Sequence, residues 1–198
     1  MLAKGERSRQ AMIDAAHDIM LESGIESLSH SAIAAKTGLT KSAVHWHFPT
    51  KRSLWEALIA DYVEHLAREE ARHEAAFVGM GFTPEEAVLP AMKTWYEDFR
   101  ENRRGWVGIG SALIGLARHD PELVEPIRAW YRGLYGRIEA SGLDKAAAFA
   151  AMMTFDGFFN SSKMGILVLS AEETNEIMRR VLRDAYADRP VLLEKLGL

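Results

Sequence analysis

The feature that most constrains this chain is a succession of apolar patterns with helical period, each bounded by a capping residue, a glycine or a proline. From Glu6 to Ser23 the apolar residues recur every three or four positions, and Gly24 follows as a stop. No segment shows a sustained alternation of apolar and polar residues, the pattern that predicts a strand. We therefore expect an all-α protein with about nine helices.

Two short helices are predicted directly after the first, and a long one follows them. Ser29 is placed to cap the first short helix and Thr40 the second, while Thr50 caps the long run. Gly38 lies between the short helices and is expected to adopt a positive φ, which glycine reaches without strain. A helix, a tight turn and a second helix in this spacing are typical of a helix-turn-helix.

The chain after residue 80 keeps the helical pattern to its end. The predicted helix starts are marked by Pro84, Pro121, Asp144 and Ser170. The last two helices are expected at about 144–169 and 171–187. The first of them is apolar on nearly every side, so it needs cover on more than one face, and a partner chain could supply it.

Composition and charge narrow the class of protein. The 198 residues are 48% hydrophobic and include no cysteine, which excludes a disulfide framework, a thiolate metal site and a thiol nucleophile. Neither a signal peptide nor an apolar run of about 20 residues is present, so we expect a cytoplasmic protein without a membrane span. The net charge is -4, yet residues 1–52 carry seven Lys or Arg against five acids. This asymmetry favours a polyanion contact at the N-terminal part.

The outer surface of the second short helix is predicted to contact DNA. Residues 41–43 stand at its N-terminal end and are short or flexible enough to reach base edges in a major groove about 12 Å wide. The flanking polar and basic residues are placed to meet backbone phosphates. The predicted DNA-binding residues are Ser29, Thr40, Lys41, Ser42, Ala43, His45, Trp46, His47 and Lys51.

Residues 7–55 resemble the N-terminal DNA-binding domain of the TetR (tetracycline repressor) family. The matched features are Gly24 with Ile25, the pair Ile33 and Ala34, Gly38, and the sequence HFPTK at 47–51 followed by Leu54. His45 departs from the family pattern, which usually has tyrosine there. A phosphate contact made by histidine would depend on pH near neutrality.

The resemblance implies a DNA-binding domain at 1–52 and an effector-binding and dimerisation domain at 53–198. It also implies a homodimer whose last two helices pair across a two-fold axis as a four-helix bundle. Such a dimer binds a palindromic operator, since two reading heads about one helical turn apart demand a symmetric site. The function implied is a transcriptional repressor that a small, mostly apolar effector releases from its operator.

The resemblance further suggests an effector pocket among the large side chains of the second part. The predicted pocket residues are Met92, Trp95, Phe99, Trp106, Trp130, Phe149, Met152, Phe155, Asp156 and Phe159. The alternative for the aromatic residues is ordinary core packing. Asp156 interrupts an apolar run and needs a partner, which is either a neighbouring helix or a donor or cationic group on the effector. The glycine-rich segment 105–115 is expected to shift when effector binds.

Two other functions are alternatives to this one. A DNA-binding regulator or DNA-organising factor without a small-molecule effector fits the same N-terminal part. A helical-bundle metalloenzyme would need pairs such as Asp14 with His17 or Glu70 with His73, but both pairs are predicted to face solvent. No Gly-rich phosphate loop and no GxSxG sequence is present. We therefore expect no enzymatic activity, no cofactor and no metal.

Overall fold

The computed structural model describes residues 4–101, 112 and 115–198, and its regular structure there is helical throughout. The helices are α1 (Lys4–Ser23), α2 (His30–Thr37), α3 (Lys41–His47), α4 (Lys51–Gly79), α5 (Pro84–Glu101), α6 (Glu125–Ala140), α7 (Lys145–Lys163), α8 (Ala171–Ala185) and α9 (Pro190–Lys195). A 3-10 turn at Ile25–Ser27 links α1 to α2, and residues 115–119 are also helical. The predicted all-α class is confirmed.

The chain divides into two compact units. The first contains Met1–His65 with Arg103–Ile127, and the second contains Leu66–Asn102 with Arg128–Leu198. Helix α4 begins in the first unit and ends in the second. The functional boundary after residue 52 stays a prediction.

The first unit is built on the predicted caps. The Ser29 hydroxyl accepts from the Ala32 amide at 3.1 Å, and the Thr40 hydroxyl accepts from the Ala43 amide at the same distance. Gly38 ends α2 with φ 69°, the positive angle expected of it. These local interactions fix where α2 stops and α3 starts, independently of the rest of the chain.

The core of the first unit joins α1, α2 and α3 to the start of α4. Its fully buried side chains are Met12, Ile13, Ile33, Val44, Phe48, Leu54 and Leu58. One prediction about α1 is wrong: His17 is only 8% exposed, whereas its spacing placed it on the solvent face. Its Nε2 lies 3.1 Å from the Asp61 carboxylate on α4, and this hydrogen bond offsets the cost of burying the imidazole.

The second unit packs α7 against α5 and α8. Its fully buried side chains include Tyr96, Met152, Phe155, Met178, Leu182 and Tyr186. The Tyr96 hydroxyl lies 3.0 Å from the Ser162 hydroxyl, so the polar end of a fully buried ring is satisfied. Ser170 and Glu173 cap α8 reciprocally, as expected of a serine at that position.

Two helix boundaries differ from the prediction, and one helix was not predicted. Helix α7 ends at Lys163 and not near residue 169, because Gly165 takes φ 69° and turns the chain. Pro121 lies in a turn, and α6 begins four residues later at Glu125. Helix α9, with Pro190 in its first turn, was not predicted. Among the described helices, none has the length and apolar character to cross a bilayer.

Candidate DNA interface and effector site

Helix α3 has one face in the core and one face in solvent. Val44 is fully buried on the inner side, and Phe48 closes the helix with its ring in the core. Lys41, Ser42 and His45 are exposed on the other side. Trp46 is 76% exposed, which is unusual for the largest apolar side chain. The helix thus presents a compact polar and aromatic surface without any loss of core packing.

The predicted DNA-binding residues 40–43, 45–47 and 51 lie along α3 and at the start of α4. Within the described part of the chain, Lys41 and Lys51 form no ion pair. By contrast, the neighbouring Arg52 binds Glu56 at 3.0 Å and also contacts Asp120. Lys41 and Lys51 are therefore the cations of this surface that remain available to an external anion.

Ser29 lies at the start of α2, and its hydroxyl already serves the helix cap, as does that of Thr40. The structure also adds a residue that the sequence did not single out. The ring of His30 lies edge-on to the ring of His45, with centroids 5.8 Å apart. The position of His30 directly after a helix cap was the only signal for it. The two histidines connect the first turn of α2 with the exposed side of α3.

The second unit contains an aromatic cluster built from α5, α6 and α7. The ring of Trp95 lies 5.5 Å from that of Phe159 and 6.4 Å from that of Trp130. Phe99 adds a fourth ring, 5.4 Å from Phe159. These four predicted effector residues therefore come together in space, although they lie on three different helices.

The other predicted effector residues are placed differently. Met92, Met152 and Phe155 are buried in the core. Phe149 packs against Tyr135, with ring centroids 5.0 Å apart. Trp106 and the glycines at 105, 108 and 110 lie outside the described residues. A pocket of about 210 Å³ in the same unit is lined by Phe77, Lys93, Thr94, Arg179 and Leu196 among others, and by none of the predicted set.

Asp156 lies between two phenols of α6. The Tyr131 hydroxyl donates to its Oδ1 at 3.1 Å. Burial raises the pKa of Asp156 to about 6, against the opposing effects of the Tyr131 hydrogen bond and the Lys163 charge. The Tyr135 hydroxyl is buried without a hydrogen-bond partner in the described residues, and burial together with the Asp156 charge raises its pKa to about 12. This corner thus combines a carboxyl group with an unsatisfied hydroxyl.

A second polar group beside the aromatic cluster was missed by sequence reasoning. Trp130 Nε1 donates to Glu70 Oε2 at 2.7 Å, and Arg137 pairs with both Glu70 and Glu74. Burial raises the pKa of Glu70, while the charge of Arg137 opposes that rise. The prediction that Glu70 and His73 face solvent is therefore wrong. Both are half-buried, since they lie four and seven residues after the buried Leu66 on the same side of α4.

Comparison with known protein families finds a match in each part of the chain. The family sequence model described as bacterial regulatory proteins, tetR family matches residues 12–58, and the one described as tetracyclin repressor-like, C-terminal domain matches residues 107–186. The chain belongs to the TetR family of transcriptional regulators. This TetR-family chain is accordingly a DNA-binding regulator, and the expectation that it is not an enzyme is confirmed, because the family is non-enzymatic.

Relatives of known name match this TetR-family chain over its N-terminal part. The HTH-type transcriptional regulator SrpR of Pseudomonas putida is 38% identical over 58 residues, which is 29% of this chain and 27% of SrpR. Tetracycline repressor protein class D of Escherichia coli is 39% identical over 61 residues, 31% of this chain and 27% of the repressor. The matched segment therefore spans about a quarter of the length of these two relatives.

Solved structures match nearly the whole chain. A member of the TetR family from Streptomyces coelicolor A3, SCO1917, has a TM-score of 0.69 at 25% identity, covering 88% of this chain and 97% of its own. The multidrug binding protein EbrR in complex with ethidium has a TM-score of 0.65 at 25% identity, covering 88% of this chain and 98% of its own. The structural similarity therefore includes helices of both units.

Proposed function

We propose that this chain is a transcriptional repressor that binds a palindromic operator as a homodimer and is released by a small, mostly apolar effector. The observation that carries the proposal is the solvent face of α3 with the first residue of α4, where Lys41 and Lys51, neither of which pairs with an acid among the described residues, flank exposed polar and aromatic side chains. Residues 1–52 would form the DNA-binding domain and residues 53–198 the effector-binding and dimerisation domain. Such a regulator acts where the DNA is, in the cytoplasm.

The DNA contacts divide into two kinds. Lys41, Ser42 and Ala43 lie in the first turn of α3 and would contact base edges, which carry sequence information. Lys51 and His45 would contact phosphates, which position the protein but specify no base. The indole of Trp46 offers apolar surface of the kind that packs on thymine methyl groups.

The homodimer is supported by apolar side chains that the isolated chain leaves in water. On α7, on α8 and in the segment between them, Met153, Ile166, Val168 and Ile177 are exposed, and Val168 is 93% exposed. Apolar surface concentrated on one pair of helices marks an interaction site. A symmetric pairing of α7 and α8 with their copies would bury it.

The effector we propose is a flat aromatic cation. The rings of Trp95, Trp130 and Phe159 provide faces for stacking and for cation–π attraction. Asp156 provides a carboxyl group whose charge is poorly solvated, so that an incoming positive charge would stabilise its ionised form. The structural similarity to EbrR, a multidrug binding protein seen with ethidium, points to the same class of ligand.

Selection of bound duplexes from random DNA tests the proposal. Purified full-length protein should enrich a two-fold symmetric sequence, and ethidium or a similar aromatic cation should release that sequence. Because ethidium also intercalates into DNA, its direct binding to the protein must be measured without DNA, by fluorescence anisotropy. Enrichment of a symmetric site with no response to a panel of cations and aromatic acids would favour a regulator without such an effector. Failure to enrich any sequence would contradict the repressor proposal.

A further inference from the structure

A cluster of three metal-ligating side chains lies between α4 and α5, outside the residues assigned to the DNA interface and to the effector site. Glu69 and His73 are one turn apart on α4, and Asp98 faces them from α5. The His73 Nε2 lies 3.8 Å from the Glu69 Oε2 and 3.7 Å from the Asp98 Oδ2. One ligand atom from each residue falls within 4.8 Å of the other two. Three ligands are thus already assembled around one point.

A hydrogen bond on the far side of the ring decides which nitrogen of His73 has the lone pair. The Thr94 hydroxyl donates to the Ala91 carbonyl at 3.0 Å, so its oxygen is left to accept. That oxygen lies 3.0 Å from the His73 Nδ1, which must therefore hold the proton. The Nε2 lone pair then points between the two carboxylates. This is the arrangement by which proteins orient an imidazole toward a metal ion.

The imidazole is held firmly in this orientation. The His73 side chain is only 9% exposed, and its ring stacks on that of Trp95 at 6.3 Å with an interplanar angle of 17°. Burial and the charge of Arg72 lower the pKa of His73, while the two carboxylates oppose that change.

A protein cation now occupies the centre of the cluster. The Arg72 guanidinium lies 2.9 Å from the His73 Nε2 and also contacts Glu69 and Asp98. Its side chain is 54% exposed, so it can turn into solvent without leaving a cavity. The cluster thus already binds a positively charged group, and the Arg72 guanidinium can be displaced from it.

We propose that Glu69, His73 and Asp98 bind a divalent first-row transition metal ion that displaces Arg72. Zinc bonds of about 2.0–2.2 Å in a tetrahedral site separate neighbouring ligand atoms by about 3.3–3.6 Å. The separations from the His73 Nε2, at 3.7 and 3.8 Å, need to contract by only a few tenths of an ångström. Water completes the coordination. The imidazole favours Zn²⁺ or Co²⁺ over Mg²⁺, which prefers oxygen ligands alone.

The site differs from the acid and histidine pairs considered in the sequence. Glu70, which precedes His73 by three residues, bonds to Trp130 and Arg137 instead. Glu69 precedes His73 by four residues and shares its face of α4. The proposal concerns binding of the ion itself and does not depend on DNA recognition or on an effector.

The experiment is equilibrium dialysis of the full-length protein against Zn²⁺, with Co²⁺ as a spectroscopic probe. One ion per chain should bind, Co²⁺ should produce visible absorption bands, and it should quench the Trp95 fluorescence, since the indole stacks on His73. His73→Gln and Asp98→Asn should each abolish this binding. Thr94→Ala should weaken it about 10- to 100-fold, and Thr94→Ser should restore it.

Two further variants complete the test. His119→Gln, at an exposed histidine of the other unit, should leave binding unchanged. Arg72→Gln should tighten binding by about 10-fold or more, because a competing positive charge is removed. Equal binding by the wild type and both ligand variants would overturn the proposal, as would binding by Arg72→Gln alone, since Arg72 would then be a permanent occupant. Absence of any binding to the wild type would also overturn it.

Discussion

Lys51 offers the sharpest test of how the protein holds DNA. It stands at the first position of α4, exposed and without an ion pair in the described part of the chain. If it contacts a phosphate, Lys51→Ala removes one neutralised phosphate per chain and two per dimer. Each such contact contributes about 0.9 to the slope of the logarithm of the binding constant against that of the salt concentration. The slope of the dimer should therefore fall in magnitude by about 1.8.

The difference in slope also predicts how much more affinity the wild type loses when salt is raised. Between 50 and 200 mM salt the wild type should lose roughly 12-fold more affinity than Lys51→Ala, the value that a slope difference of about 1.8 gives over a fourfold change. Fluorescence anisotropy with labelled duplexes measures both slopes. Because a phosphate contact carries no sequence information, operator and random duplex should be affected alike.

Lys36→Ala is the matched control for this experiment. Lys36 lies in the same unit, but its Nζ pairs with Glu22 at 2.7 Å. Its removal should leave the salt slope unchanged. A loss confined to the operator in Lys51→Ala, or an unchanged slope, would refute the role assigned to Lys51.

The remaining predictions concern stability and are tested by urea unfolding. Asp156→Asn should stabilise the protein at pH 8 by up to about 3 kcal/mol, because burial raises the native pKa from 3.8 to about 6, so that wild-type stability falls as pH rises through that window. Near pH 4 the gain should vanish, and a pH-independent difference would show that titration is not its cause. Gly38→Ala should cost about 1 kcal/mol through its φ of 69° alone, since an added Cβ meets nothing within 4 Å; no loss would mean that the turn relaxes. Arg137→Met should cost about 2–4 kcal/mol by leaving Glu70 and Glu74 together without a cation, and a neutral effect would show that water replaces the arginine.

The parts of the fold that sequence could predict are those set by local interactions. Ser29, Gly38 and Thr40 fix the α2-turn-α3 unit through bonds that span three residues or a single backbone angle. Such features are legible in a single chain because each depends only on its immediate neighbours. The exposed face of α3 lies opposite Val44 and Phe48, which are buried in the core.

The parts that sequence could not predict depend on partners distant in the chain. His17 is buried because Asp61, 44 residues away, accepts its hydrogen bond. Glu70 is half-buried because Arg137 and Trp130 on α6 reach it. A polar residue on a helix is assigned to solvent by default, and only the tertiary contact reveals the exception. The effector-binding role of the predicted pocket residues stays a prediction, because the four clustered aromatic rings would pack in the same way in an ordinary core.

In the proposed complex, two copies of this chain present their α3 helices to one duplex. Sedimentation equilibrium of the full-length protein with the selected duplex, at low ionic strength, measures it most directly. The account predicts a dimer in the absence of DNA and a complex of two chains per duplex that dissociates as salt is raised. A protein that remains monomeric and sediments apart from every duplex offered would contradict it.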